Sequence, residues 1–357
     1  MKKSHLLIIN YAMDQDSQVF SHQIEVVNFL AANFNNVTVL TAYSGKFQVA
    51  ENVQVTCSNW VEGQRIKSLL RFYKRFFQII LTRKISAIFS HMTSVQSAFT
   101  APITRLMGIK HYLWYAHAST NIYFRVSNLF TNGIITSTSG SCPAKGNQIF
   151  PIGQAIDSTK FVKKSKSNFP LNKYVHIGRL DPSKNLEKIV NVAANLRNQN
   201  PNITLEIIGS PSSDKHKTYA KELMARFSSD NYSSWIKFTP KINRDLIPQI
   251  LRENDCFIHA FQGSLDKSIV EATFVGLPVI TINKEYLEIF GTWSDYEMNR
   301  GTDLQIEADS LIMLTKLNLE VELEKRHRIA KEQHDLRNWI SYLVSILKFG
   351  YVDSIKR

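Results

Sequence analysis

The sequence predicts an α/β protein built of two doubly wound, Rossmann-like domains facing a central cleft. Three observations predict it. Short apolar runs alternate with helical patterns along nearly the whole chain, as in a parallel sheet covered by helices on both faces. The alternation breaks once, from Pro151 to Pro170, and then restarts. The length of 357 residues suits two domains of ordinary size.

The elements follow in order. Leu6–Asn10 reads as a first buried strand. Its lysines and apolar run imitate a signal peptide, but the apolar core is too short and no small-residue cleavage pattern follows. A helix is expected around Val19–Phe34, a β-branched strand at Val37–Leu40 and a helix at Ile66–Leu81. Strand Ile85–Phe89, helix Val95–Met107 and strands Tyr112–Tyr115 and Ile134–Thr136 complete the first half. The break holds Pro151, Gly153, Lys163, Lys164, Lys166 and Pro170, and marks the boundary. Beyond it come strands at 174–178, 204–208, 236–239, 256–259 and 279–282. Helices at 184–199, 216–227, 244–252 and 268–275 separate them. Glu307–Leu347 is helical, with Trp339, Ile340, Leu343 and Ile346 near its end. The expected domains are 1–155 and 156–330, then a C-terminal helix at 331–357 whose return to the first domain is left open.

The net charge is +13. Residues 1–157 hold 14 Lys and Arg against 6 Asp and Glu, so the excess is concentrated there. That points to an anionic partner. Cys57, Cys142 and Cys256 are isolated, so neither a disulfide framework nor a zinc cluster is indicated. No apolar run reaches bilayer length. The expected location is the cytoplasm.

Gly178-Arg179-Leu180-Asp181-Pro182-Ser183-Lys184-Asn185 follows the apolar run Val175-His176-Ile177. Asp181 suits an N-cap and Pro182 the first helical position. Lys184 then falls in the first turn, where the helix dipole disfavours a cation unless an anion also sits there. Arg179 offers a forked donor set for phosphate oxygens. The pattern suits a diphosphate site, although a solvated surface lysine would read the same way.

Gly263-Ser264-Leu265-Asp266-Lys267-Ser268-Ile269-Val270-Glu271-Ala272 follows a second buried run, Cys256–His259, and opens a helix closed by Gly276. The backbone amides of such a turn bind anions, and Lys267 adds charge. Glu271, placed in the first turn, can accept bonds from two vicinal hydroxyls such as a ribose offers, or can simply complement the helix dipole.

Together, Gly178-Arg179…Lys184-Asn185 and Glu271-Ala272…Gly276-Leu277-Pro278 resemble the GT-B glycosyltransferases of group 1, or family 4. The resemblance extends to Val19-Phe20-Ser21-His22-Gln23, to Leu113-Trp114-Tyr115-Ala116-His117 and to Ile152–Asp157. It implies transfer of a hexose-type sugar from a nucleotide-diphosphate sugar to a glycan or lipid-linked acceptor, with retention at the anomeric carbon. It implies that Gly178, Arg179 and Lys184 meet the donor diphosphate and that Glu271 binds the ribose. Asp266, Lys267 and Ser268 would meet the phosphates and sugar. His117 would lie near the reacting sugar, with Arg179 and Lys184 as its catalytic companions; His22 and Asp16 are weaker candidates. No metal-binding acidic pair is evident, so neither metal nor cofactor is required.

The chain departs from the family at one place. The family's first glutamate, eight positions before Glu271, is Gly263 here. Asp266 is the nearest substitute carboxylate. A catalytically silent nucleotide-binding scaffold, an inverting transferase or a sugar-nucleotide epimerase of the same fold therefore remain as alternatives. Residues 67–84 carry six bases, no acid and many apolar side chains. They suit a helix lying on the inner face of an anionic membrane, or a packed helix with a solvated basic side. No nucleic-acid-binding motif appears, so nucleic acid is not an expected partner.

Overall fold

The computed structural model describes residues 4–17, 20–61, 63–144, 148–166, 168–294 and 303–351. Val19 of the expected first helix and Met1–Lys3 lie outside them. The chain forms two compact units, Met1–Gly153 with Arg337–Arg357, and Gln154–Leu336.

The first unit contains β1 (His5–Met13), α1 (His22–Ala31), β2 (Asn36–Ser44), β3 (Val53–Cys57), α2 (Arg65–Thr82), β4 (Ala87–His91), α3 (Ser94–Leu106), β5 (Lys110–Trp114), α4 (Ile122–Phe130), β6 (Gly133–Thr136) and β7 (Ile149–Pro151). All seven strands are parallel, in the order β3-β2-β1-β4-β5-β6-β7. Leu6 to Ile9 are wholly buried in β1, which explains their near-continuous apolar reading.

Three elements of this unit were not anticipated. β3 and β7 are half-buried edge strands, where the apolar signal is weakest. α4 is started by Asn121, whose Oδ1 accepts from Phe124 N at 2.8 Å. The first helix also begins later than expected. Asp14 Oδ1 accepts from Asp16 N and Ser17 Oγ from Phe20 N; these short side chains hold the chain in turns.

The second unit contains β8 (Lys173–Ile177), α5 (Leu186–Gln199), β9 (Thr204–Ile208), α6 (Asp214–Arg226), α7 (Asp230–Ser233), β10 (Ile236–Thr239), α8 (Ile247–Glu253), β11 (Cys256–His259), α9 (Lys267–Val275), β12 (Val279–Thr281), α10 (Lys284–Phe290), α11 (Leu304–Ile312) and α12 (Lys316–His334). Its parallel sheet runs β10-β9-β8-β11-β12. Strand order reverses between β8 and β11, so ligands of this architecture bind beyond their carboxyl ends. The last helix, α13 (Leu336–Phe349), returns to the first unit. Its Trp339 ring lies 5.3 Å from that of Trp114.

Two expectations need correction. Asp181 caps not the long helix but a 3₁₀ turn, Pro182–Lys184; its Oδ1 accepts from Ser183 N at 3.1 Å. Asn185 is left-handed, with φ 49° and ψ 49°, and α5 begins only at Leu186. Asparagine tolerates that conformation better than most residues. Lys184 thus closes a 3₁₀ turn instead of opening an α-helix. Glu271 lies in the second turn of α9, because that helix starts at Lys267.

Candidate active site

The carboxyl ends of β8 and β11 bring two loops together. Arg179 follows β8 on the first loop. Its side chain is 60% exposed, with Nε 3.5 Å from the buried Asp181 carboxylate. Lys184 is its opposite, with a side chain only 6% exposed. Its ammonium ion pairs with Asp266 Oδ2 and lies 4.0 Å from the centre of the Phe261 ring. A buried lysine stays charged only with such partners.

Asp266 is the N-cap residue of α9, yet its side chain accepts no helix amide. It receives Lys184 and His259 Nε2, the latter at 3.3 Å. Burial works to raise the Asp266 carboxyl. The His259 hydrogen bond and the Lys184 charge outweigh it and hold the group well below the ordinary carboxylate range. His259 is the last residue of β11. The ionised Asp266 carboxylate can only accept, so His259 Nε2 carries the proton and Nδ1 accepts from Thr281 Oγ1 at 3.0 Å. Burial lowers the His259 pKa, and the ring is neutral near pH 7.

The backbone around these groups is tightly set. Asn283 Nδ2 donates to the carbonyls of Phe261, Gly263 and Ser264 at 3.1–3.3 Å. Asn185 Nδ2 donates to Ala260 O at 3.2 Å. A Cβ at Gly178 would lie 2.7 Å from His176 Nε2, and one at Gly209 would collide with Gly178 O. The strand ends can approach this closely only without side chains there.

Two buried polar atoms at these strand ends have no partner among the described residues. One is Ser268 Oγ, in the first turn of α9. The other is His176 Nε2. His176 Nδ1 donates to Ile258 O at 2.9 Å and burial holds the ring at a pKa of about 3, so Nε2 is an acceptor. Buried polar groups are rarely left unpaired.

Of the expected site residues, Lys184 and Asp266 are in direct contact. Gly178 and Arg179 lie on the same loop as Lys184, and Lys267 and Ser268 open the helix that follows Asp266. Glu271 faces differently from the reading of a free carboxylate, because its Oε1 accepts from Arg244 Nη2. His117 belongs to the first unit, exposed on the loop after β5, with its ring 5.2 Å from Tyr115. His22 lies 5.8 Å from the His91 ring, and Asp16 pairs with Lys46 at 3.5 Å, both in that unit. His259, Phe261, Asn283 and Arg244 were missed. His259 had a legible signal, a polar residue at the end of an apolar strand. The others meet the site only through the fold.

Residues 157–293 match the family model of glycosyl transferases group 1. The match lies wholly within the second unit. The GT-B fold extends through both units. HepE of Anabaena, solved in complex with UDP-glucose, matches over 96% of this chain and 100% of its own, with a TM-score of 0.70 at 15% identity. Sucrose-phosphate synthase from Thermosynechococcus elongatus matches over 96% and 98%, with a TM-score of 0.72 at 10% identity. The lipopolysaccharide outer core galactosyltransferase WaaB matches over 96% and 99%, with a TM-score of 0.66 at 11% identity. No curated protein sequence matches this chain. Among the described residues no helix is long and apolar enough to cross a membrane, and no cluster of His, Cys, Asp and Glu is placed to hold a metal.

Proposed function

We propose that the chain is a family 4 hexosyltransferase. It moves a sugar from a nucleotide-diphosphate donor to a glycan or lipid-linked acceptor, with retention, in polysaccharide biosynthesis. The buried Lys184 ammonium at a strand end, beside the first turn of α9, supports this most directly. A departing diphosphate gains negative charge. Lys184, Arg179, the α9 amides and the unpartnered Ser268 hydroxyl would meet that charge as it develops, with Lys267 and Gly178 beside them. Glu271, oriented by Arg244, takes a ribose hydroxyl. His117 positions the reacting sugar. This set of donors meets the leaving-group charge with neither metal nor cofactor. The protein works in the cytoplasm, with residues 67–84 against the inner face of the membrane.

HepE is solved with UDP-glucose, so UDP-sugars lead the panel of donors to test. A true donor at 100 times its Kd raises stability by about 2.7 kcal/mol. A full panel with no thermal shift would overturn the proposal. A shift without turnover would favour a silent scaffold, which the glycine at 263 already suggests. Anomeric analysis of the product separates retention from inversion.

A further inference from the structure

Residues 63–156 contain eleven Lys and Arg and no Asp or Glu. An even spread of the chain's 30 acidic residues would place about eight there. This stretch includes α2, α3 and α4. The basic surface therefore extends well past residue 84.

α2 carries two apolar stripes. Phe72, Phe76, Ile79 and Ile80 are buried beside Leu7 and Leu40 of the sheet. Ile66, Leu70, Tyr73, Phe77 and Leu81 fall on a second stripe of the same helix, where Ile66 is 77% and Leu81 73% exposed. That second stripe continues onto the neighbouring helices. Phe77 stacks on Tyr73 at 6.0 Å, Tyr73 meets Phe99 of α3 at 6.3 Å, and Phe99 meets Tyr123 of α4 at 6.0 Å. Tyr73 Oη also donates to Phe99 O at 2.8 Å. Leu106 at the end of α3 is 90% exposed, and Leu129 of α4 is 74% exposed. Arg105 and Arg125 are exposed on these helices, as Lys67, Lys74, Arg75 and Lys84 are on and just beyond α2.

We infer that α2, α3 and α4 form one docking face for an anionic lipid bilayer. It rests on the reading of residues 67–84 as membrane-facing, and extends it to two further helices. The exposed aliphatics enter the boundary between headgroups and acyl chains, and the aromatic ladder sits at headgroup depth. The bases meet headgroup phosphates, and residues 63–156 contribute no carboxylate to oppose them. A nucleic-acid backbone would satisfy the bases but leave the leucines and isoleucines unused, since such interfaces are polar.

The full chain is sedimented with phosphatidylcholine vesicles, with vesicles containing about one-third phosphatidylglycerol, and with single-stranded RNA as competitor. Two double variants are compared, Ile66→Glu with Leu81→Glu on α2, and Ile122→Glu with Leu129→Glu on α4. The inference expects salt-sensitive binding to the anionic vesicles only. It expects a loss of about tenfold or more in each double variant at an unchanged melting temperature. Wild-type binding by the α4 variant, with loss only in the α2 variant, would overturn the three-helix face while leaving the single-helix reading intact. No vesicle binding by the wild type, or displacement of vesicles by RNA, would overturn both.

Discussion

Replacing Asp266 by Asn tests the arrangement at the strand ends most sharply. The substitution keeps size and removes the charge that neutralises Lys184. Lys184 is 6% exposed and Asp266 23%, so water replaces the lost partner poorly. Removing one member of a buried pair costs about 3–5 kcal/mol. The partial exposure of Asp266 and the ring of Phe261 over the ammonium place the cost near the lower figure. For a unit of this size about 3 kcal/mol lowers the melting temperature by about 6–12 °C. Lys184→Met should couple to it: the double variant should lose at least about 1 kcal/mol less than the sum of the single losses. Additive losses would refute the pairing.

The same variant carries a pH signature. The Asp266 carboxyl is held below its unfolded value. Its contribution is fully present above the unfolded pKa of about 3.9 and is lost as pH falls through the lower folded value. Asp266→Asn has no such loss, so wild-type and variant stabilities converge in acid. Denaturant unfolding at a series of pH values reads this directly. A gap that stays constant down to the folded-state titration would refute the ion pair. Diphosphate affinity should not fall in Asp266→Asn, because the variant frees Lys184 from a competing anion.

Other substitutions separate the roles of the remaining residues. Arg179→Ala should lower turnover by about 10²–10³ with an unchanged melting temperature, since Arg179 is exposed; activity near wild type would remove it from the site. Glu271→Gln should raise the donor KM more than it lowers kcat, and an unaltered KM across a donor panel would reject the ribose role. His117→Ala should fold normally and slow turnover; a wild-type rate would exclude it. Gly263→Glu should not recreate the commoner family pattern but lower donor affinity, because its side chain must displace the Phe261 ring that a Cβ at 263 would strike. Tighter donor binding in that variant, measured by calorimetry, would contradict this account.

The legibility of the sequence tracked burial. Strands Thr204–Ile208 and Cys256–His259 lie at the expected positions, because inner parallel strands read as largely apolar runs; the edge strand Ile236–Thr239 was legible from Ile236 and Phe238 alone. Edge strands β3 and β7 are half-buried and lost that contrast. The start of α5 was misplaced because Asp181 and Pro182 signal a helical start equally well for a 3₁₀ turn. Only the left-handed Asn185 tells the two apart. The site divides similarly. Arg179, Lys184 and Glu271 stand in recognisable strings, whereas the Lys184–Asp266 pair spans 82 positions and the Arg244–Glu271 pair 27. Neither pairing has a local sequence signal.

Those hidden contacts change what Gly263 means. A missing glutamate suggests a gap that Asp266 fills. The structure gives Asp266 to Lys184 and His259 instead. The Phe261 ring takes the space beside Gly263 and also covers the Lys184 ammonium. Asn283 holds this backbone through three carbonyls, so the loop has little freedom to reopen. The bare position at 263 and the covered lysine therefore share one neighbour, the Phe261 ring. A side chain at 263 and the ring at 261 compete for one volume. The Asp266 carboxylate is thus paired with the lysine and with His259.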